Sequence, residues 1–172
     1  EAMGLPLIKK VTEGKPEEEL KDLETAIAQA VKGFKIEGVV TGAVESAYQS
    51  KRIQTICNRL NISCFSPLWK KNQKALLEEL VAQGFKVIIS GVFAYPLDGS
   101  WLGKEIDNEL IERLSLLGKK FGLSVSGEGG EIETTVLDAP LFKKKIEILD
   151  SAVETKGNSG VFIIKRARLA PK

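Results

Sequence analysis

Gly127-Glu128-Gly129-Gly130-Glu131-Ile132-Glu133-Thr134 marks the point at which the pattern of this chain changes. Upstream, short apolar runs alternate with stretches of helical period; downstream, two long segments alternate apolar and charged residues. Three glycines and three carboxylates fall within these eight residues, between Leu123-Ser124-Val125 and Thr135-Val136-Leu137. Glycines at a strand end permit positive φ and let a ligand approach the backbone closely. The carboxylates make the turn acceptor-rich and negative, so it should repel a phosphate and attract a cation or donor. In a strand opening after Gly130, Glu131 and Glu133 share one face and Ile132 takes the other. Two carboxylates on one face of a buried strand are costly unless partnered. The plainer alternative is an exposed hairpin with solvated acids.

Working outward from this turn, Leu141–Leu149 and Val161–Leu169 read as antiparallel strands with one wet face, joined by a turn at Gly157-Asn158-Ser159-Gly160. The run Lys143-Lys144-Lys145 reads as a solvated strand edge. Upstream, Leu110, Ile111, Leu114, Leu117 and Phe121 have helical spacing over about 107–121. Before them stands the loop Ala94–Lys104, then the strand Phe85–Phe93, apolar on both faces and therefore central. A helix with Leu76, Leu77, Leu80 and Val81 precedes it. Earlier still come a strand Ile62–Phe65, a helix with Ile53, Ile56, Cys57 and Leu60, and a strand Ile36–Thr41. The helix opened by Pro16-Glu17-Glu18-Glu19 carries Leu20, Leu23, Ile27, Val31 and Phe34 on one face. Leu7–Val11 reads as a strand, and Glu1–Pro6 as the tail of a helix whose start lies in a longer protein. Strands and helices alternating through short connections predict a parallel α/β sheet.

Composition narrows the chemistry. The 172 residues are 43% hydrophobic and 28% charged, as in an ordinary globular protein. With 25 basic and 23 acidic residues, the net charge of +2 gives no electrostatic argument for nucleic acid or a membrane. Histidine is absent, which removes the usual general base and the commonest metal ligand. Cys57 and Cys64 are too few for a disulfide framework or a zinc site, and no metal site is expected. Their apolar settings predict free thiols. No signal peptide or long apolar run is present, so a soluble cytoplasmic protein is expected.

Three strand ends carry unusual residues, the place where open parallel sheets bind ligands. The first is Thr41–Gln49, where exposed amides, Ser46, Tyr48, Gln49 and the cationic Arg52 could hold an anion or simply start a helix. The second is the loop with Tyr95, Asp98 and Trp101, near Asp107. It is either a cap over a pocket or a turn whose tryptophan seals the core; Trp69 could face the same cleft. The acidic turn is the third.

Together these stretches resemble the diphthine–ammonia ligase family, among the N-type ATP pyrophosphatases. The resemblance rests on Gly42-Ala43, Ser46, Tyr48-Gln49 and Arg52; on Pro67-Leu68-Trp69; on Ser100-Trp101-Leu102-Gly103 with Asp107; on Gly127–Thr134; and on Asp138 with Pro140-Leu141-Phe142. It implies a Rossmann-like (HUP-type) parallel sheet, here incomplete at its N-terminus (1–69), followed by a smaller α/β substrate domain with antiparallel strands (70–172). It further implies that ATP, with Mg2+, activates the carboxylate of diphthine on translation elongation factor two as an acyl-adenylate. Ammonia then displaces AMP.

The resemblance assigns Gly42, Ala43, Ser46, Tyr48, Gln49 and Arg52 to the nucleotide. It assigns Trp69, Tyr95, Trp101, Gly103, Asp107, Gly127, Gly129, Gly130 and Thr134 to the substrate. Trp69, Trp101, Tyr48 and Tyr95 would offer cation–π faces to the trimethylammonium group. Glu128, Glu131 and Glu133 would handle ammonium and its proton, and a homodimer is compatible with this reading. Two departures stand out. The Ser-Gly-Gly-x-Asp-Ser phosphate loop does not occur, so the chain by itself is expected not to activate ATP. Ile132 replaces a frequent aromatic residue. Other readings are a nucleotide-binding module without turnover, or a fragment that docks on the elongation factor. A thiolating tRNA enzyme would need catalytic cysteines or a basic surface.

Overall fold

The parallel pattern covers only the first part of the chain. The computed structural model describes residues 1–172 except the side chains of Pro16 and Glu17, so the acid expected of Glu17 at the first helix lies outside the described residues. Two compact units result, Leu5–Lys71 and Glu1–Gly4 with Asn72–Lys172, each treated by itself.

In the unit Leu5–Lys71, α1 (Pro16–Phe34) ends where Lys35 turns left-handed and returns its N–H to Val31. Then follow β1 (Gly38–Val40), α2 (Ala47–Arg59) and β2 (Ser63–Phe65). β1 and β2 pair in parallel, with Val39 opposite Cys64. A parallel pair requires a crossover, which α2 supplies. It buries Ile56 and Cys57, and α1 buries Ile27. Gly38 has a packing reason, since a Cβ there would stand 3.0 Å from the Ser63 carbonyl oxygen.

Leu7–Val11 is not a strand. Leu7 and Val11 are exposed, and no strand of the unit pairs with them. A β-forming composition without a ladder partner does not fix extended structure. Glu1–Pro6 contains no helix of its own. It holds one turn, closed by Gly4 N–H on the Glu1 carbonyl, and the Ala2 carbonyl accepts the Lys143 N–H at 2.8 Å. That bond ties Glu1–Gly4 to the second unit.

In the unit Asn72–Lys172, α3 (Gln73–Ala82), β3 (Lys86–Val92), α4 (Asn108–Phe121), β4 (Ile132–Asp138), β5 (Lys145–Lys156) and β6 (Ser159–Ala170) follow in order. The sheet runs β4-β3-β6-β5, and every pair is antiparallel. β3 is interior, as its doubly apolar pattern predicts. It does not, however, continue a parallel sheet. The alternation of helix and strand up to β3 fits either direction; the strands that arrive later decide it. Ile89, Val92, Leu97, Ile111 and Leu114 form the centre of the core.

β5 begins at Lys145 rather than Leu141, which is exposed, and it continues to Lys156. Lys156 pairs with Ser159, so the turn is only Gly157-Asn158, with Gly157 at φ 61°. Ser159 and Gly160 belong to β6. Lys145 starts the edge strand, and Lys143 and Lys144 lie exposed before it.

Candidate functional site

The acidic turn is built on glycines, two of them, Gly127 and Gly130, in the left-handed region. α4 stops at Gly122 in the left-handed region. Leu123–Val125 follows without forming a strand. Gly127 N–H then donates to Ser124 carbonyl at 3.1 Å, and Gly130 N–H to Gly127 carbonyl at 2.9 Å, with φ of +79° and +80° at the two glycines. The turn therefore precedes β4 instead of following a strand of its own. It still reaches a carboxyl end, because Ile132 pairs with Val92 at the end of β3 and Phe93 N–H donates to the Glu131 carbonyl.

The three carboxylates have different surroundings. Glu131 folds back under the turn, where Oε1 accepts the Ser124 backbone N–H at 2.9 Å. Its Oε2 is buried and has no hydrogen-bond partner among the described residues. A buried carboxylate oxygen without a donor is an unfavourable arrangement that an incoming N–H would relieve. Glu128 is half-buried and its own N–H goes to Ser124 Oγ at 2.8 Å. Glu133 is exposed on β4, opposite Gly91. The shared carboxylate face expected of Glu131 and Glu133 is thus not formed, since Glu131 lies before the strand and turns inward. Among the described residues no group of three or more Asp, Glu, Cys or His side chains could hold a metal ion.

Gly129 has a specific reason to lack a side chain. A Cβ there would lie 2.5 Å from Glu131 Oε1 and 2.8 Å from Oε2, and Gly129 is not at positive φ. Gly129→Ala should displace the carboxylate and break one hydrogen bond, costing about 0.5–1.5 kcal/mol. The melting midpoint should fall by only a few degrees, about 2–4 °C per kcal/mol at this size. Calorimetry checks that. A much larger fall would mean that Glu131 cannot yield and the packing described is wrong.

The Tyr95–Asp107 region folds back along β3, with Trp101 sealing the core. Gly103 N–H donates to Ile89 carbonyl at 2.8 Å and Ile89 N–H to Lys104 carbonyl at 3.0 Å. Trp101, in a 3-10 turn over Gly99–Trp101, is 5% exposed and sits in the core, with the Arg113 guanidinium 4.5 Å over its ring. It presents no free face to a substrate. Asp98 accepts the Ser100 N–H at 2.8 Å, and the Ser100 hydroxyl and amide hold its carboxyl below the usual range. Gly103, at φ +75°, leaves room for the Phe162 ring, which would stand 2.8 Å from an added Cβ.

Asp107 caps α4 by accepting Leu110 N–H at 2.8 Å, and lines a groove of about 270 Å³ with Lys104, Glu109 and Arg113. Tyr95 is 66% exposed, its ring edge-on to Phe121 at 5.5 Å. Thr134 is exposed on β4 opposite Ile89.

In the unit Leu5–Lys71, the Thr41–Val44 and Ser66–Lys70 stretches come together. Thr41 Oγ1 and Ser66 Oγ are 2.9 Å apart, and Lys70 N–H donates to Val44 carbonyl at 2.7 Å. Gly42 is exposed at the end of β1 with open space where a Cβ would stand; Ala43 is buried. Ser46 caps α2 by accepting Gln49 N–H at 3.3 Å, so its position has a structural reason. Tyr48 is exposed, but Arg52 lies over its ring at 3.6 Å. Trp69 is half-buried in the turn, its N–H on Ser66 carbonyl at 3.1 Å. Burial, then the neighbouring Cys64 thiol, pushes the Cys57 thiol up, as suits an unreactive thiol at that position.

Gln73 gave no signal in the sequence. At the first turn of α3, its Oε1 accepts Ser124 Oγ–H at 2.7 Å and Ser126 N–H at 3.0 Å. Its partners are some fifty residues away, and only the folded chain joins them to the acidic turn.

Residues 1–64 match the family described as diphthamide synthase N-terminal domain, and residues 72–170 the diphthamide synthase C-terminal domain. The chain is 40% identical to a mouse (Mus musculus) diphthine–ammonia ligase over 177 residues, covering 94% of the chain and 64% of that protein. A cattle (Bos taurus) diphthine–ammonia ligase is 39% identical over 167 residues, covering 90% of the chain and 62% of that protein. One from Schizosaccharomyces pombe is 42% identical over 130 residues, 76% of the chain and 21% of its own length. The chain thus spans less than two thirds of the length of these relatives. No helix of the described residues is long and apolar enough to cross a membrane.

Proposed function

Because the chain belongs to the diphthamide synthase family, we propose that the protein carrying it amidates the carboxylate of diphthine, consuming ATP and ammonia and releasing AMP and pyrophosphate. The diphthine would be borne by translation elongation factor two, which places the reaction in the cytoplasm. One structural observation supports the reading above the others: inside a glycine turn, Glu131 holds a buried carboxylate oxygen with no donor among the described residues. Ammonia carries donors to spare. Its lone pair forms the C–N bond to the activated carbonyl as the bond to AMP breaks, and the proton released from nitrogen goes to Glu131. Glu133, exposed near the same strand end, would attract ammonium from solution.

The unit Leu5–Lys71 fits the adenosine part of ATP. Two parallel strands joined by a helix are a fragment of the Rossmann-like (HUP) pattern, and the open backbone at Gly42 allows an adenine or ribose to approach. ATP supplies the leaving group that activates the carboxylate. The described residues offer no cluster of acids for Mg2+, which commonly arrives held by nucleotide phosphates and few carboxylates. Of the aromatic faces proposed for trimethylammonium, Tyr95 and Trp69 remain suited. Trp101 is buried, and the face of Tyr48 already carries Arg52.

The test is direct. The intact protein, given diphthine-bearing elongation factor, ATP and ammonium, should form the amide with one AMP per amide. Binding of ATP without AMP release would instead support a nucleotide-binding module and sink the ligase reading.

A further inference from the structure

We propose that Gln73 is a positioning residue for the Glu131 carboxylate, acting through Ser124. This rests on the reading of Glu131 as the group that receives the amine. Four hydrogen bonds carry the argument. Gln73 Oε1 accepts both the Ser124 hydroxyl at 2.7 Å and the Ser126 N–H at 3.0 Å. A backbone N–H can face only an acceptor, so the side-chain amide is fixed with its oxygen toward the turn. Having donated to Gln73, the Ser124 hydroxyl keeps its lone pairs for the Glu128 N–H, at 2.8 Å. The backbone N–H of the same Ser124 holds Glu131 Oε1 at 2.9 Å.

Gln73 is therefore the anchor from which the turn is hung. Its own place is rigid, because Asn72 caps α3 on Ala75 N–H at 3.0 Å and Leu76 and Leu77 are buried. The arrangement fixes one oxygen of Glu131 and leaves the other buried without a donor. As a stability device that would be poor, since the unpaired oxygen carries a desolvation cost. As a device for aiming Oε2 it is effective, because every bond in it constrains direction.

The experiment compares Gln73→Leu with Gln73→Glu in the intact ligase, with amide formation and ATP–pyrophosphate exchange measured separately. Leucine removes the acceptor, whereas glutamate keeps an oxygen for both donors. The leucine variant should lose about 10²-fold in amide formation, the scale of a small misplacement of a reacting group. Its pyrophosphate exchange should be unchanged, and glutamate should restore most of the amidation. Hydrogen exchange at the Ser126 and Glu128 amides should quicken in the leucine variant alone.

Should Gln73→Leu fail to fold, Ser124→Ala cuts the same link while keeping the backbone N–H to Glu131, and should reproduce the selective loss. Wild-type amidation in the leucine or Ser124→Ala variant overturns the proposal. So does an equal loss of both half-reactions, or no restoration by glutamate. Glu131→Gln run alongside separates the two ideas. If it spares amidation, the role of Glu131 fails; if it alone abolishes amidation, only the role of Gln73 fails.

Discussion

Glu131→Gln in the intact protein is expected to lower amide formation by roughly 10²–10⁴-fold, the usual contribution of a general base, while ATP–pyrophosphate exchange continues. The substitution is nearly isosteric and its consequence follows from hydrogen-bond direction. Ser124 N–H requires an acceptor, so a glutamine would place its oxygen at the Oε1 position. Its NH2 then occupies the position of Oε2, a donor where an incoming amine needs an acceptor and a proton sink. Removing the charge of a half-buried carboxylate whose Oε2 is unpaired among the described residues should leave the melting temperature unchanged or raise it. A variant more stable and yet unable to amidate would separate function from folding cleanly. Undiminished amidation, or parallel loss of pyrophosphate exchange, would remove Glu131 from the chemistry.

Gly127→Ala should produce the largest loss of stability in this region. The position has φ +79°, and an added Cβ would meet Ile132 Cγ1 at 2.5 Å and the Ile132 carbonyl oxygen at 2.8 Å. The left-handed conformation costs a non-glycine residue about 1–2 kcal/mol. Overpacking adds about 1–3 kcal/mol. The backbone oxygen cannot rotate away as a side chain could, and Ile132 is itself a core residue locked against Val92 in the sheet. A total of roughly 2–5 kcal/mol should lower the melting midpoint by about 5–15 °C. Gly130→Ala provides the comparison, because Gly130 has φ +80° but nothing within 4 Å of the added Cβ. Only the backbone part should appear there. Equal losses at the two positions would show that the contact with Ile132 is not what makes Gly127 necessary.

What could be read from the sequence was local or came from the resemblance. Helical spacing located α1 to α4, and the doubly apolar run from Val87 to Val92 marked an interior strand. The direction of that strand was not legible, since it depends on β4 and β6 and the preceding residues are indifferent to it. Leu7–Val11 misled because strand composition says nothing about whether a neighbour exists. At the candidate site, residue types indicated an acidic, glycine-built turn. They did not show that Glu131 and Glu133 part company, which follows from Glu131 turning inward to Ser124. Trp101 could have capped a pocket or sealed the core, and the return of its loop along β3 decided for the core. Gln73 was invisible because a polar residue at a helix start has no distinguishing pattern.

The strand order β4-β3-β6-β5 has a consequence for synthesis on the ribosome. β3 emerges early but needs β6 on one flank, and β6 is the last strand of the unit to appear. Residues 103–106 already cover Val87–Ile89 on that flank. Until the twelve residues of β6 are out of the exit tunnel, however, a nascent chain leaves the Gly91–Val92 end of β3 open and β5 without its partner strand. Pairing across so long an intervening segment is slow. Premature release before β6 should therefore yield an aggregation-prone species, and this half of the molecule should become protease-resistant late and abruptly, after translation has passed Ala170.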